Sequence, residues 1–493
     1  MLITLALRHL LVRKLRSLFL LLGFSLGVGV MIVLLSVGEA MLDQSRDVSL
    51  IGGGEVTVLP LGIDVEAMRT GGVSGMFFGI DRARFLARQI LGGPRHGHIV
   101  KTVSPVIEGK LIYLGRGDRT LAVRAGGEIP SRARDAGSGL DLLSGRWTDS
   151  PADSAYVSPT PEQLYHEMDR FHLPPRPDST WSEWHYFNLV TAPDEWWYVA
   201  YLIRGEVGLS RTPVTGSRWS GQLLVTHRRP DGRYERFIEP IPSGLIDFDT
   251  TGADLTLGRS SVRQRNGRYE LHGRTRAEAG SLQFDVTLIP APNRYFPPVE
   301  LSDDQLVSGY VVPGLVARAS GEICVRGRCR IFSGVPAYHD HNWGVWRDVT
   351  WEWGMGQGSR LSLLYGGVYG PEREQSGERL AVTSPFFLAL VDSLGVHQVL
   401  RFDEIQYQGA RTASGLRAKA PARFTLIGTR DVDTVRIEVR VTDALATEVA
   451  ASRFQRAFLQ MRGRFTLNGT VAGRAVADSG RGFFETYLTG PLQ

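Results

Sequence analysis

Trp196–Ile203 reads WWYVAYLI, a short run of aromatic and branched residues. That composition suits a pleated, half-buried strand. The run opens a series. Gln222–Thr226, Leu255–Leu257, Tyr269–Leu271 and Leu282–Leu288 follow it, and Leu361–Tyr365, Phe386–Val391, Arg436–Val441 and Phe454–Met461 come later. Gly, Asn and Asp turns lie between them. Many short strands with such turns predict a mainly β fold, an antiparallel sandwich or barrel. Over 300 residues follow Ser179, which is too many for one such unit. Two are expected, 179–350 and 351–493, joined near residues 345–355.

Working outward, six prolines between Pro151 and Pro177 mark residues 151–178 as a linker. One short helix, Pro161–Phe171, is expected inside it with Thr160 as N-cap. Residues 46–150 read as a small α+β region. Val56–Leu59 and Lys110–Leu114 alternate like strands, and Arg82–Leu91 has helical apolar spacing.

The first 45 residues form a different class of segment. Ser17–Gly38, SLFLLLGFSLGVGVMIVLLSVG, carries no charge over 22 residues. As a helix it is long enough for about 30 Å of hydrocarbon. Arg8, Arg13, Lys14 and Arg16 precede it, and no positive excess follows. The positive-inside rule then places the N-terminus in the cytoplasm. The expectation is a single-pass anchor in the inner membrane with the C-terminal domains periplasmic. Gly23 and Gly27 form a small-xxx-small pair that lets a second membrane helix approach.

The 493 residues hold 56 Lys and Arg against 51 Asp and Glu, a net charge of +5. No basic stripe is concentrated anywhere, so nucleic acid is excluded as a partner. No phosphate loop, dinucleotide fingerprint or nucleophile elbow occurs.

Pro336–Trp346, PAYHDHNWGVW, holds the densest chemistry. On a strand, His339, His341 and Trp343 share one face and Tyr338, Asp340 and Asn342 the other. One reading is catalytic. His341 donates or relays a proton, Asp340 orients it, Trp343 stabilises a developing cation, and Tyr365 on the following strand positions water. The other reading is a buried polar network that fixes the fold without chemistry. Metal is not expected, because two His at i and i+2 have no evident third ligand nearby. Trp184, Tyr338, His339, Asn342 and Trp346 are candidates for contacting a ligand, and Trp196, Trp197, Tyr198, Trp351 and Trp353 for lining a pocket or packing a core.

Two segments resemble the hydroxyneurosporene synthase family, the carotenoid 1,2-hydratases and their AttH-like lipocalin relatives. They are WSEWHYFNLV…EWWYVAYL (Trp181–Leu202) and PAYHDHNWGVW, and the closing GRGFFETYL (Gly480–Leu488) is similar to that family's last strand. The resemblance spans about residues 165–490. It implies two tandem lipocalin-like β-barrels with an apolar pocket and no cofactor. Hydratases of the family place a carboxylate beside a Tyr on the strand after the motif. Here that strand, SLLYGGVYG (Ser362–Gly370), has none, and Glu352 is the carboxylate available. Residues 1–150 resemble the start of a macrolide-exporter-type ABC transporter permease, on ALRHLLVRKLRSLFLLLGFSLGVGVMIVLLSVGEAM and IGGGEVTVLP. The later membrane helices of that family do not follow.

The only cysteines, Cys324 and Cys329, flank Gly327 in a predicted hairpin turn. Outside the cytoplasm they can pair as a disulfide; inside they stay reduced thiols. Three functions follow: a membrane-anchored binder of an apolar lipid or isoprenoid-like molecule beside ABC transporter subunits, a hydratase on such a molecule, or an export-system subunit.

Overall fold

In Asp433–Glu448, Val435, Ile437, Val439 and Val441 are buried while Arg436, Glu438 and Arg440 are exposed. Gly280–Pro290 repeats this with Leu282, Phe284, Val286 and Leu288 inward. A period of two with one apolar face is what a barrel wall requires, and the chain is built of such strands. The computed structural model describes residues 14–46, 56, 58, 80–136, 148–153, 166–172, 180–205, 219–302, 307–345, 350–369, 386–448 and 455–489, less a few single positions. They divide into two units: residues 1–87 with 99–157, and residues 88–98 with 158–493.

In the first unit, α1 (Lys14–Arg46) carries the uncharged stretch. Its side chains are described without a break from Leu22 to Ser36. Among the described residues no helix is long and apolar enough to cross a membrane. Helix α2 (Ile80–Gly92) covers the predicted helical spacing. Strands β1 (Val106–Arg116) and β2 (Arg119–Glu128) form a hairpin, and α3 (Pro130–Ala136) follows, with Pro at its first position where no backbone donor is needed. Of the expected strand Val56–Leu59, only Val56 and Val58 are described, and neither is in a strand. In the expected helix Pro161–Phe171, residues 166–168 are helical and 161–165 lie outside the described residues.

The second unit is mainly β, with two antiparallel barrel-like sheets in tandem. The first sheet uses β3 (Trp181–Ala192), β4 (Glu195–Gly205), β5 (Trp219–Arg228), β6 (Tyr234–Pro242), β7 (Ile246–Phe248), β8 (Leu255–Leu257), β9 (Ser260–Arg265), β10 (Arg268–Ala277), β11 (Gly280–Pro290), β12 (Phe296–Ser302), β13 (Val307–Val325) and β14 (Arg328–Val345). Its order is β6-β5-β4-β3-β14-β13-β11-β10-β9-β8-β7, with β12 on β13, a nearly closed wall. The second uses β15 (Thr350–Gly358), β16 (Ser362–Tyr369), β17 (Phe386–Asp392) and β18 (Gly395–Phe402). It continues through β19 (Ile405–Gln408), the two-residue β21 (Ser414–Gly415), β23 (Arg423–Arg430), β24 (Asp433–Glu448), β25 (Gln455–Val471) and β26 (Arg474–Thr489), while β20 (Arg411–Thr412) and β22 (Lys419–Ala420) pair as a separate two-stranded sheet. Here β23 pairs with both β18 and β24, which closes the ring.

Each barrel is filled by its own apolar core, around Phe187, Tyr201 and Leu288 in the first and Leu388, Ile437 and Phe484 in the second. A third core, including Tyr198, Val312, Tyr338, Met355, Leu364 and Phe483, joins the outer faces of the two barrels. Strand β14 therefore has a barrel interior on one face and a barrel interface on the other. From Ala337 to Val345 it is buried on both, save the half-buried Asn342.

Candidate functional site

Strand register sets the interior face. On β14, His339, His341 and Trp343 lie opposite Phe187, His185 and Glu183 of β3. The segment before β3 adds Asp169, which is fully buried. His339 Nε2 and His341 Nδ1 each stand 2.9 Å from an Asp169 oxygen. His341 Nε2 is 3.0 Å from Glu183 Oε1, so its ring bridges two carboxylates. Burial alone would lower His341, but hydrogen bonds to Asp169 and Glu183 and their charges push it up to about 9. Burial also works against the Asp169 charge, yet the surrounding imidazoles and their hydrogen bonds hold its carboxyl far below the usual range. His185 is driven well below its usual value by burial, against the Asp169 charge. The indole N–H of Trp343 donates to Glu300 at 2.8 Å, and the His172 ring stacks on the indole at 3.7 Å. Gly309 makes room for that indole: a Cβ there would sit 2.0 Å from it.

The opposite face of β14 holds Tyr338, Asp340 and Asn342. Tyr338 Oη donates to Asp340 Oδ2 at 2.6 Å, Asn342 Nδ2 donates to Oδ1 at 2.6 Å, and Trp353 Nε1 donates to Tyr338 Oη at 3.1 Å. Burial pushes Asp340 up to about 8, and the nearby Glu485 charge adds to it while the hydrogen bonds oppose it. Glu485 itself is pushed up to about 7 by burial, against hydrogen bonds from Gln460, Trp351 and Tyr186. A cleft of about 320 Å³ is lined by Asn188, Tyr338, Met355, Gln357, Arg462 and Phe483 among others, but by neither of these carboxyls. By strand alternation Tyr338 and Asp340 share a face of β14, and Phe483 and Glu485 share a face of β26. Both strands thus lead from the cleft to a carboxyl. Arg462 is buried, lies 4.3 Å over Trp196 and 5.3 Å over Phe483, and has no hydrogen-bond partner at Nη1 among the described residues.

Several expected roles change. Asp340 does not orient His341, because alternation sends the two side chains to opposite faces; Asp169 and Glu183 hold His341 instead. Trp343 is covered by His172 and faces the barrel interior, so it does not line the cleft. Tyr365 does not join the motif. It lies in the second barrel's core against Phe402, Phe424 and Phe484, because it faces inward on β16. Glu352 sits in that barrel too, accepting from Tyr407 at 2.6 Å and Thr486 at 2.8 Å. His339 stacks on Phe187 in the first barrel, and Trp184 packs near Trp351 at the interface, 6.4 Å between ring centres. Trp346 lies outside the described residues. Cys324 and Cys329 are joined by a disulfide across the β13–β14 hairpin, whose turn residues Arg326 and Gly327 both have positive φ, 51° and 77°.

Asp169, Glu183, His185 and Glu485 were not singled out in the sequence. Glu183 and His185 carry a readable signal, since they alternate along WSEWHYF as His339 and His341 do along AYHDHNW. Asp169 and Glu485 carry none that stands apart from other carboxylates.

No protein-family model and no curated protein matches the chain. Solved structures do resemble it. A Nitrosomonas europaea protein taken to be AttH is 14% identical, with TM-score 0.43, over 62% of this chain and 91% of that one. Kievitone hydratase from Nectria haematococca is 13% identical, with TM-score 0.40, over 66% and 98%. CghA in complex with Sch210972 is 12% identical, with TM-score 0.39, over 66% and 97%. At these values each is a likeness only, and function rests on this chain's own geometry.

Proposed function

We propose that this protein is a lipocalin-like hydro-lyase that adds water to a C=C bond of an apolar, isoprenoid-like molecule held between its barrels. The observation that carries the reading is that Asp340 and Glu485, both raised by burial, each stand two residues along a strand from a cleft-lining side chain, Tyr338 and Phe483. Two carboxyls in one poorly solvated place do not both ionise readily, so one keeps a proton to give and the other a lone pair to receive one. A carboxyl proton adds to one alkene carbon, and the π pair becomes the new C–H bond. The cation left on the other carbon faces the ring of Phe483, which lines the cleft. A water oxygen closes on it, and that water's spare proton passes to the second carboxylate. Arg462 Nη1 offers a donor to an oxygen elsewhere on the substrate. The cleft is at the small end of ligand pockets, so it suits the end of an isoprenoid chain better than a whole long polyene. The motif-level resemblance to carotenoid hydratases supports the same reaction class.

The anchor belongs to the same proposal. The uncharged run Ser17–Gly38 within α1 supports a membrane tether with the barrels outside the cytoplasm, near the lipid from which an apolar substrate comes. Docking of α1 against an exporter's helices would use Gly23 and Gly27, where an added Cβ meets nothing within 4 Å among the described residues.

The test is mass spectrometry of an acyclic polyene after incubation with the full chain in detergent. Wild type is expected to yield a product heavier by one water. Asp340→Asn and Glu485→Gln should each slow its formation by roughly 100-fold or more while still retaining polyene. Polyene bound and recovered unchanged by wild type would sink the hydratase and leave a carrier.

A further inference from the structure

The interior face of β14 poses a problem of hydrogen-bond accounting. Three imidazoles surround Asp169, and each also meets an oxygen on its far side. His185 has Asp169 Oδ2 at 3.6 Å from Nδ1 and the Ala253 carbonyl at 2.9 Å from Nε2. His339 has Asp169 Oδ2 at 2.9 Å from Nε2 and the Tyr186 carbonyl at 3.1 Å from Nδ1. His341 has Asp169 Oδ1 at 2.9 Å from Nδ1 and Glu183 Oε1 at 3.0 Å from Nε2. Every ring nitrogen except His185 Nδ1 is within hydrogen-bond distance of an acceptor, but a neutral imidazole has only one N–H. The two carbonyls can only accept. If the outer nitrogens carry the hydrogens, inward lone pairs point at a carboxylate. If His341 alone is doubly protonated, its two N–H groups satisfy Asp169 and Glu183, but His339 still turns a lone pair on an oxygen and His185 Nδ1 stays unpartnered; if all nitrogens are protonated, three cations face two carboxylates inside a core where every one of these side chains is fully buried. His185 Nδ1 shows the strain of this directly, being buried without a hydrogen-bond partner.

We infer that Asp169, His185 and His341 bind a divalent first-row transition-metal ion, with His339 holding the same carboxylate. One ligand atom from each of the three lies within 4.8 Å of the others. A tetrahedral ion with bonds near 2.0–2.1 Å holds its donors about 3.3 Å apart; here His341 Nδ1 is 2.9 Å from one Asp169 oxygen and His185 Nδ1 is 3.6 Å from the other, so the carboxylate can turn either oxygen to the ion. An ion at this point takes the inward lone pairs of His185 and His341 and leaves their outer N–H groups for the Ala253 carbonyl and Glu183, while His339 donates to the Asp169 oxygen. That outer pattern, imidazole N–H to carbonyl or carboxylate, is how metal-binding histidines are oriented. Phe171 packs against both His185 and His341, 4.9 Å between ring centres in each case, which fixes the rings. Two nitrogens and a carboxylate oxygen suit zinc or iron(II) over magnesium or calcium.

The ion has a structural task. His185 and His341 stand on adjacent strands, while Asp169 comes from the segment ahead of the barrel. Binding all three ties that segment to the barrel wall. The site lies on the opposite face of β14 from the cleft, so it stands or falls independently of the hydro-lyase reading.

The experiment uses the full chain, purified in detergent without a polyhistidine tag. Metal content is measured by plasma mass spectrometry as isolated, after chelation, and after titration with Zn2+ or Co2+. One equivalent per chain is expected, with visible Co2+ absorption of a four- or five-coordinate nitrogen and oxygen site and a thermal midpoint that falls on chelation and recovers with Zn2+. His185→Ala and Asp169→Asn should weaken binding at least tenfold, whereas His172→Ala should bind as wild type. Should the variants fail to fold, the wild-type stoichiometry, spectrum and thermal shift still decide. A chain that takes up no ion and shows no thermal shift, or one in which His172→Ala alone abolishes binding, overturns the assignment.

Discussion

At Glu485, charge and packing oppose each other. Its carboxyl has an ordinary value of 4.5 and is pushed up to about 7 by burial. The folded state therefore binds a proton more readily than the unfolded chain between these values. Stability must fall as pH rises through that window and level off above about 7. Glu485→Gln lacks the charge and should lose this component. Urea unfolding of both proteins from pH 4 to 8 should show wild type losing about 1–3 kcal/mol relative to the variant as pH rises. A constant difference would place Glu485 in water. The same residue illustrates what sequence reading misses: in GRGFFETYL it is one glutamate among many, and only its place opposite β14 makes it a candidate acid.

Between β15 and β16 the chain turns tightly, and Asp478 of β26 holds the turn. Its carboxylate accepts from the backbone N–H groups of Ser359, Arg360 and Leu361 at 3.2, 2.8 and 2.7 Å. These bonds hold Asp478 below its usual range, outweighing burial. Its contribution is present above the unfolded carboxyl value and is lost as pH falls through the lower folded one. Asp478→Ala should cost about 1–2 kcal/mol at neutral pH in urea unfolding, discounted for solvent around the turn, and the gap should close in acid. The β13–β14 hairpin makes a second test at this scale. With Cys324 and Cys329 bonded, the denatured, unreduced chain should show no free thiol by titration. Replacing both by Ser should lower stability by about 2 kcal/mol, as expected for a short closed loop.

Across the whole molecule, the two barrels are expected to unfold together because they share a third core. Arg228 and Tyr234 of the first barrel both reach Asp443 of the second at 2.9 Å, beside the apolar interface. Leu364 is fully buried in that interface, pointing away from its own barrel's core. Leu364→Ala should cost about 2–5 kcal/mol. Calorimetry should show one transition for both barrels in wild type and variant, moved to lower temperature in the variant. Two separate transitions in wild type would mean that the interface does not couple the barrels.

Local alternation was enough to establish much of this protein. It identified the strands, the mainly β class and the two faces of Tyr338–Trp343, because side chains in a strand change sides at each residue. The turn at Gly327 likewise brought the cysteines opposite each other without help from the rest of the chain. What local pattern cannot express is which strand lies beside which. Pairing of β14 with β3 places His341 next to His185 and Glu183, more than 150 residues earlier. Asp169 reaches the same point from outside the strands, and Glu485 meets Asp340 only because one barrel packs on the other. Tyr365, which looked like a partner of the motif from its closeness in sequence, went to another core for the same reason. Barrel closure and barrel packing follow from burying whole apolar faces, and that sum over distant strands decides which polar side chains end as neighbours.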